Sequence, residues 1–334
     1  MSKPLGDSKR LVLSSTRTAA RTLARLRPYV QALGVAITIA SLIFVVAYLN
    51  RIFQDQSLEV LSTDNLFLVL ICAGFYAATL GILALAWVNL VNGVSRTALG
   101  QLDGLCIYAV SQVFKYLPSN VLHAVGRYAM TKARGQSHRA VLFAQASEML
   151  LISLAAVTVV AALGLRMIEE QYVGFATKLG WRAVVMAMVI MVTLVGLLAY
   201  AIFGHRRVAV RISISYLMFV AFFVITGLIA AGLLYGVSGN SVTPHTLHIV
   251  AAVAAAWLGG WLTPGAPAGI GVRESLIIFF LSPYVGAEAS AFLAVAYRVV
   301  TTLGDLLFAL IGLAVAYVTR RSAVFLLATG RLRH

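Results

Sequence analysis

The residues of this sequence most able to do chemistry are charged side chains that lie inside long apolar segments. They are Lys115, Arg127, Glu148, Arg273, Glu274, Arg298 and Asp305. A charge at the centre of a membrane helix costs about 2.5–3.5 kcal/mol, so such residues are functional by default. Arg298, Thr301, Thr302 and Asp305 are spaced i, i+3, i+4 and i+7, which places them on one helix face. Two interpretations stay open: the charges line a water-filled path for a polar headgroup, or Glu148, Arg298 and Asp305 only neutralise one another.

Two breaks in the apolar segments must position these charges. At each break a proline is followed nine positions later by an arginine, Pro118 by Arg127 and Pro264 by Arg273. A broken helix frees backbone groups that lipid cannot satisfy, so breaks occur where protein or a water-filled cavity surrounds them. The short apolar arms on either side predict two re-entrant helical hairpins, and transporters place their substrates at helix ends of this kind. The predicted bounds are 104–133 and 246–282.

Arg127 and Arg273 follow the hairpin tips, near the exposed N–H groups of a helix start. A planar guanidinium beside such a terminus suits a phosphate group, which predicts a lipid with a phosphate headgroup as the ligand. The alternative is that both side chains extend to the membrane interface. His123 is more often a packing or hydrogen-bonding residue than a ligand. The complete set of candidate substrate-binding residues is Lys115, Asn120, His123, Arg127, Glu148, Arg273, Glu274, Arg298 and Asp305.

Composition identifies the class of protein. Apolar residues make up 61% of the 334 residues and charged residues 11%. Several apolar runs exceed the ~18 residues that a membrane-spanning helix needs, so the sequence predicts an all-α polytopic membrane protein. The formal charge of +15 sits mostly at the ends of the spans, as topology requires, and does not indicate a nucleic-acid partner. Cys72 and Cys106 have no metal-ligand spacing, and no metal or cofactor is predicted.

Six predicted spans and two hairpins place every strongly basic segment on one side of the membrane. The spans cover about 28–49, 66–94, 140–165, 183–204, 212–236 and 287–319. The positive-inside rule identifies the basic side as the cytoplasm, which predicts a bacterial inner-membrane protein with both termini cytoplasmic. The tails 1–27 and 320–334 are both basic. The N-terminal tail is either an interfacial helix attracted to anionic lipid at the cytoplasmic surface or a disordered topology signal.

The order of these elements predicts an internal repeat. Each unit has two spans, a hairpin and a third span, over about 28–165 and 183–319. Three crossings per unit is an odd number, so the two units are inverted in the membrane, as in many transporters. An offset of about 150 residues aligns Glu148 with Arg298. We therefore expect these two side chains to lie near the midplane, to face the same interior cavity and to be coupled directly, through water or through Asp305.

Three motifs carry a resemblance to a known family. They are Lys115-Tyr116-Leu117-Pro118-Ser119-Asn120 with Gly126-Arg127, Pro267-Ala268-Gly269-Ile270-Gly271-Val272-Arg273-Glu274, and Tyr297-Arg298 through Asp305. Together they resemble the transmembrane region of lysylphosphatidylglycerol synthases, the flippase-like domain family, over about 28–320. The resemblance implies flipping of an aminoacylated phospholipid, or handling of glycolipid or polyprenyl-phosphate-linked intermediates. Ser119 stands where the family usually has glycine, and the soluble aminoacyltransferase domain of the synthases is not expected here, so lysyl transfer is not implied.

Two functions therefore remain open. The first is a lipid flippase that moves a phosphate-bearing lipid across the membrane, and the alternative is a membrane enzyme or accessory subunit that presents a lipid to a glycosyltransferase. Enzyme chemistry is less favoured, because Gly269-Ile270-Gly271 lacks the third glycine of a dinucleotide loop and the adjacent acids Glu169 and Glu170 sit in an outer loop. The expected partners are the phosphate-bearing lipid and anionic surface lipid, and a homodimer is compatible with the sequence.

Overall fold

The computed structural model describes residues 63–116, 122–171, 204–263 and 267–319, together with residue 43 and scattered positions between 190 and 201. These residues form helices and connecting turns, with no β-strand among them. The helices are α1 (Thr63–Val94), α2 (Gln101–Gln112), α3 (Leu122–Lys132), α4 (His138–Gln171), α5 (Arg206–Ser238), α6 (Thr246–Leu262), α7 (Val272–Val285) and α8 (Ala287–Val318). Short 3-10 turns occupy Val113–Tyr116, Gly239–His245 and Pro267–Gly269. The prediction of an all-α protein is confirmed over the described residues.

Several helices are suited to a lipid environment. Five segments of the described chain are long and apolar enough to cross a membrane: Leu66–Val94, His138–Gly164, Arg206–Ser238, Thr243–Leu262 and Ala287–Val318. Large apolar side chains such as Phe67, Phe75 and Leu150 stay exposed on these helices, as expected of surface that faces lipid. A multi-pass helical membrane protein is thereby confirmed. The predicted span 28–49 is described only at residue 43 and span 183–204 only at scattered positions, and both tails lie outside the described residues.

The long helices α1 and α5 pack against each other in antiparallel orientation. Near the end of α1, Asn89 Nδ2 donates a hydrogen bond to the Arg211 carbonyl oxygen at 2.8 Å. At the opposite end of the pair, Gly236 lies against the Leu68 side chain. The bundle therefore has one end where α1 finishes and α5 begins, and another where α1 begins and α5 finishes.

Helices α2 and α3 form a hairpin whose two ends lie together, beside the end of α1. The Arg134 guanidinium, just after α3, pairs with the Asp103 carboxylate at the start of α2 at 2.9 Å. The Gln136 amide donates to the Thr97 carbonyl oxygen at 3.2 Å and accepts from Ser95 Oγ at 2.6 Å. With 12 and 11 residues, α2 and α3 are each about 16–18 Å long, which is shorter than the ~30 Å membrane core.

Helices α6 and α7 form a second hairpin at the opposite end of the bundle, where α5 finishes. At its base the His248 and Tyr284 rings stack with centroids 4.4 Å apart. Its tip includes Gly269 with φ of 68°, a left-handed conformation that glycine adopts without strain. The segment Thr243–Leu262 has the length of a span, but the chain turns after it and α7 returns over only 14 residues, about 21 Å.

The two hairpin tips meet inside the bundle. The 3-10 turn Val113–Tyr116 of the first hairpin contacts the turn Pro267–Gly269 of the second. Helix α8 contacts α1, α2, α5 and α7 and so packs against both hairpins. The close approach of α8 to α1 depends on Gly304, where an added Cβ would lie 2.6 Å from the Tyr76 ring. The remaining tip residues, 117–121 and 264–266, lie outside the described residues.

Candidate functional site

An open cleft between the two hairpins gathers much of the charge that the sequence singles out. Its empty volume, including its mouth, is about 1310 Å³. The walls come from α1, α2, α3, α4, α5 and the tip of the second hairpin. The predicted site residues that line it are Lys115, His123, Arg127, Glu148 and Arg273. A smaller adjoining cleft of about 460 Å³ is lined by Arg273, Glu274 and Arg298, so Arg273 faces both.

Arg127 is held in a buried ion pair. Its Nη1 lies 2.6 Å from Glu148 Oε2, and its Nε donates to Ser111 Oγ at 3.1 Å. The guanidinium also stacks over the Tyr108 ring, 3.8 Å from the centroid, while the Tyr108 hydroxyl donates to Glu148 Oε1 at 2.8 Å. Only 2% of Arg127 is exposed. The pair therefore joins α3 to α4, and the guanidinium already has a carboxylate partner.

Asp305 ties the first hairpin to α8. Its Oδ2 lies 2.6 Å from Lys115 Nζ and accepts a hydrogen bond from the Tyr116 hydroxyl. Asp305 is 1% exposed, whereas the Lys115 side chain keeps 23% exposure toward the larger cleft. The positive charge of Lys115 is thus already balanced by a buried acid from the other half of the chain.

Arg298 ties the second hairpin to α8. Its Nε lies 3.5 Å from Glu274 Oε1, and its Nη1 donates to the Ala268 carbonyl oxygen at the hairpin tip at 3.1 Å. The predicted direct pairing of Glu148 with Arg298 in one cavity is wrong, because each has another ion-pair partner and each lines a different cleft. The physical reason is packing. The helix that carries Glu148 and the helix that carries Arg298 each pack against the hairpin that precedes them, so each side chain finds its partner on that hairpin.

Each hairpin nevertheless forms an ion pair with the long helix that follows it. In the first half, Arg127 on the hairpin pairs with Glu148 on the helix that follows. In the second half, Glu274 on the hairpin pairs with Arg298 on the helix that follows, with the signs of the charges exchanged. Glu148 and Arg298, which the predicted sequence offset aligns, therefore each form an ion pair with the hairpin that precedes their own helix.

Arg273 differs from the other cations of the two clefts. Among the described residues it has no acidic partner within ion-pair distance, and its buried Nε has no hydrogen-bond partner. Its stem passes between two glycines: a Cβ on Gly260 would lie 2.6 Å from its Cγ, and one on Gly269 would lie 2.8 Å from its Nε. Its guanidinium carbon lies 5.8 Å from the centroid of the Trp257 ring. This arginine is positioned by backbone shape and an aromatic face rather than by an anion.

Two predicted residues, His123 and Asn120, remain to be placed, and several unpredicted neutral residues contact the charged side chains. His123 lines the larger cleft, and its Nδ1 has no hydrogen-bond partner in the part of the chain that the structure describes. Asn120 lies outside the described residues. Sequence reasoning missed the neutral partners that orient the charges: Tyr108, Ser111, Tyr116 and Trp257. A usable signal was the pair of tryptophans four positions apart on α6, whose rings stack 6.3 Å apart beside the larger cleft.

No protein-family model matches this chain, and a comparison with curated proteins finds no match. The resemblance to the flippase-like domain family therefore stays a prediction, and so do the function and substrate that it implies. The described residues contain no group of three or more histidine, cysteine or acidic side chains that could hold a metal ion. What the clefts offer is charge recognition beside apolar and aromatic surface.

Proposed function

We propose that this protein is a lipid flippase that moves a lipid with a phosphate headgroup across a bacterial inner membrane, with Arg273 as the phosphate-binding residue. The observation that carries this proposal is the contrast between Arg273 and its neighbours. Lys115, Arg127 and Arg298 each form an ion pair with a carboxylate, whereas Arg273 forms none with the residues that the structure describes. A half-buried guanidinium without an ion pair is costly, and an anionic ligand there would lower that cost.

The surroundings of Arg273 suit a lipid headgroup. Guanidinium and phosphate form paired, charge-assisted hydrogen bonds. The larger cleft also presents Leu80, Leu83, Trp257 and Trp261, which can cover the first carbons of an acyl or polyprenyl chain. A ligand with a charged head and an apolar tail matches both features, whereas a free sugar or amino acid would leave the apolar wall uncovered.

The placement of the hairpins supports movement between leaflets. We propose that the two hairpins are re-entrant and belong to two inverted repeats, because their bases lie at opposite ends of the α1–α5 pair and each hairpin forms an ion pair with the helix that follows it. Arg273 follows the tip of the second hairpin and lines both clefts. Inverted repeats with broken helices at the midplane are an arrangement that secondary transporters use for alternating access.

Headgroup selectivity in a reconstituted system tests this function. Purified protein in vesicles would be given fluorescent phosphatidylglycerol, lysylphosphatidylglycerol, a polyprenyl phosphate and a phosphate-free glucosyl diacylglycerol, each with and without an imposed ion gradient. We expect at least one phosphate lipid to cross the bilayer and the phosphate-free lipid not to be accelerated, with every lipid recovered chemically unchanged. Equal acceleration of the phosphate-free lipid would contradict phosphate recognition, and a chemically altered lipid would favour the enzyme alternative.

A further inference from the structure

A third cleft lies at the end of the bundle where α1 finishes and α5 begins, and it shares no lining residue with the two central clefts. Its empty volume, including its mouth, is about 770 Å³. The lining residues are Asn89, Arg206, Arg207, Val210, Arg211 and Ile214. It therefore has three guanidinium groups, and no acidic side chain among the described residues that line it.

The innermost arginine is fixed in place by Asn89. Arg211 Nη1 donates to Asn89 Oδ1 at 3.1 Å and approaches the Asn89 carbonyl oxygen at 3.5 Å. Asn89 Nδ2 in turn donates to the Arg211 carbonyl oxygen at 2.8 Å and to Ser215 Oγ at 3.0 Å. A guanidinium has five N–H donors, and this arrangement engages only Nη1. The remaining donors are held in a defined position without a protein partner among the described residues.

The two outer arginines are exposed and stand at an electrostatically unfavourable place. Arg206 and Arg207 occupy the first turn of α5, which contains no acidic residue. The helix dipole makes the start of a helix positive, so cations there repel it and an anion is favoured. Membrane topology accounts for basic residues near the end of a span. It does not account for a cleft between them or for the anchoring of Arg211.

We propose that this cleft binds the phosphate group of an anionic membrane phospholipid. Val210 and Ile214 are exposed on the same side, by 48% and 46%, and offer apolar surface to the start of an acyl chain. The cleft lies at the end of an apolar helix, which is the depth of lipid headgroups. The tails 1–27 and 320–334 are strongly basic and would be repelled, so they are not the occupant. This site is independent of the proposed flippase function.

The test compares two pairs of arginines that lie at the same end of the bundle. The full-length protein would be placed in phosphatidylcholine nanodiscs with increasing phosphatidylglycerol, and its thermal midpoint would be followed. The test variant is Arg206→Gln with Arg207→Gln, and the matched control is Arg96→Gln with Arg139→Gln, which removes two exposed charges outside the cleft. Because all four are exposed, we expect every protein to fold in phosphatidylcholine alone.

We expect phosphatidylglycerol to raise the midpoint of the wild type and the control alike. In the test variant, the phosphatidylglycerol content needed for half of that rise should increase at least about tenfold. An unchanged response of the test variant would overturn the proposal, and so would an equal loss in the control, which would indicate general attraction to a charged surface. Inorganic phosphate producing the same rise without the lipid would overturn the assignment to a phospholipid.

Discussion

The buried pair of Arg127 and Glu148 gives a sharp test of the structure. Arg127 is 2% exposed and makes contacts of 2.6 Å to Glu148 and 3.1 Å to Ser111. Replacing Arg127 by glutamine leaves the Glu148 carboxylate with the Tyr108 hydroxyl but without its cation. Removing one member of a buried ion pair costs about 3–5 kcal/mol, because the other charge is left uncompensated. Arg127→Gln and Glu148→Gln should each destabilise the protein by about that amount.

The double variant should be less damaging than the sum of the two single variants, because it leaves no stranded charge. The assay is a double-mutant cycle on thermal unfolding in detergent, with Arg139→Gln, an exposed residue on the same helix as Glu148, as the control. We expect an interaction energy in the upper part of the usual 0.5–3 kcal/mol range for contacting residues. Additive effects of the two single changes would refute the pairing and the packing of α3 on α4.

Two further predictions concern the shape of the site and the hairpins. Gly260→Ala should displace the Arg273 stem, destabilise the protein by about 1–3 kcal/mol through overpacking and reduce lipid movement. The control Gly232→Ala, where an added Cβ meets only open space, should have none of these effects. Equal thermal midpoints and equal transport for the two alanine variants would contradict the close packing of Arg273 against Gly260. Single cysteines would be introduced in a background without Cys72 and Cys106 and treated with a membrane-impermeant reagent. We expect both ends of one hairpin to be labelled from the same face of the membrane, and the two hairpins to be labelled from opposite faces. Labelling of the two ends of one hairpin from different faces would contradict re-entrance. The cysteines would be placed at Gln101, Ala133, Thr243 and Ala287.

Much of the helical organisation could be predicted from the sequence because its causes are local. Long apolar runs indicate spans, and proline and glycine inside them indicate breaks, so the hairpins predicted at 104–133 and 246–282 correspond to helical arms observed over 101–132 and 246–285. These signals depend on residue type and spacing alone. They do not depend on how one helix is rotated against the next.

The pairing of charges could not be predicted for the same reason. Whether Glu148 on α4 faces Arg127 on α3 or Arg298 on α8 depends on how these helices are rotated about their axes. Helix rotation depends on close contacts between helices, such as the one between α8 and α1 at Gly304. The proposed repeat offset aligns Glu148 with Arg298, but positions that align between two halves need not touch. Tyr108 and Tyr116 were missed because a neutral side chain in an apolar segment carries no signal until its charged partner is placed.

Replacement of Arg273 is the measurement that tests the central claim most directly. The wild type, Arg273→Ala, Arg273→Lys and the exposed control Arg139→Ala would be reconstituted at equal folded yield with the phosphate lipid that the wild type moves fastest. Loss of a charge-assisted bond of about 1.5–3 kcal/mol predicts that Arg273→Ala slows transbilayer movement roughly 10- to 150-fold. Arg273→Lys should lose less, since it keeps the charge but not the paired donors, and Arg139→Ala should match the wild type. Normal transport by folded Arg273→Ala protein would contradict the assignment of phosphate binding to this residue.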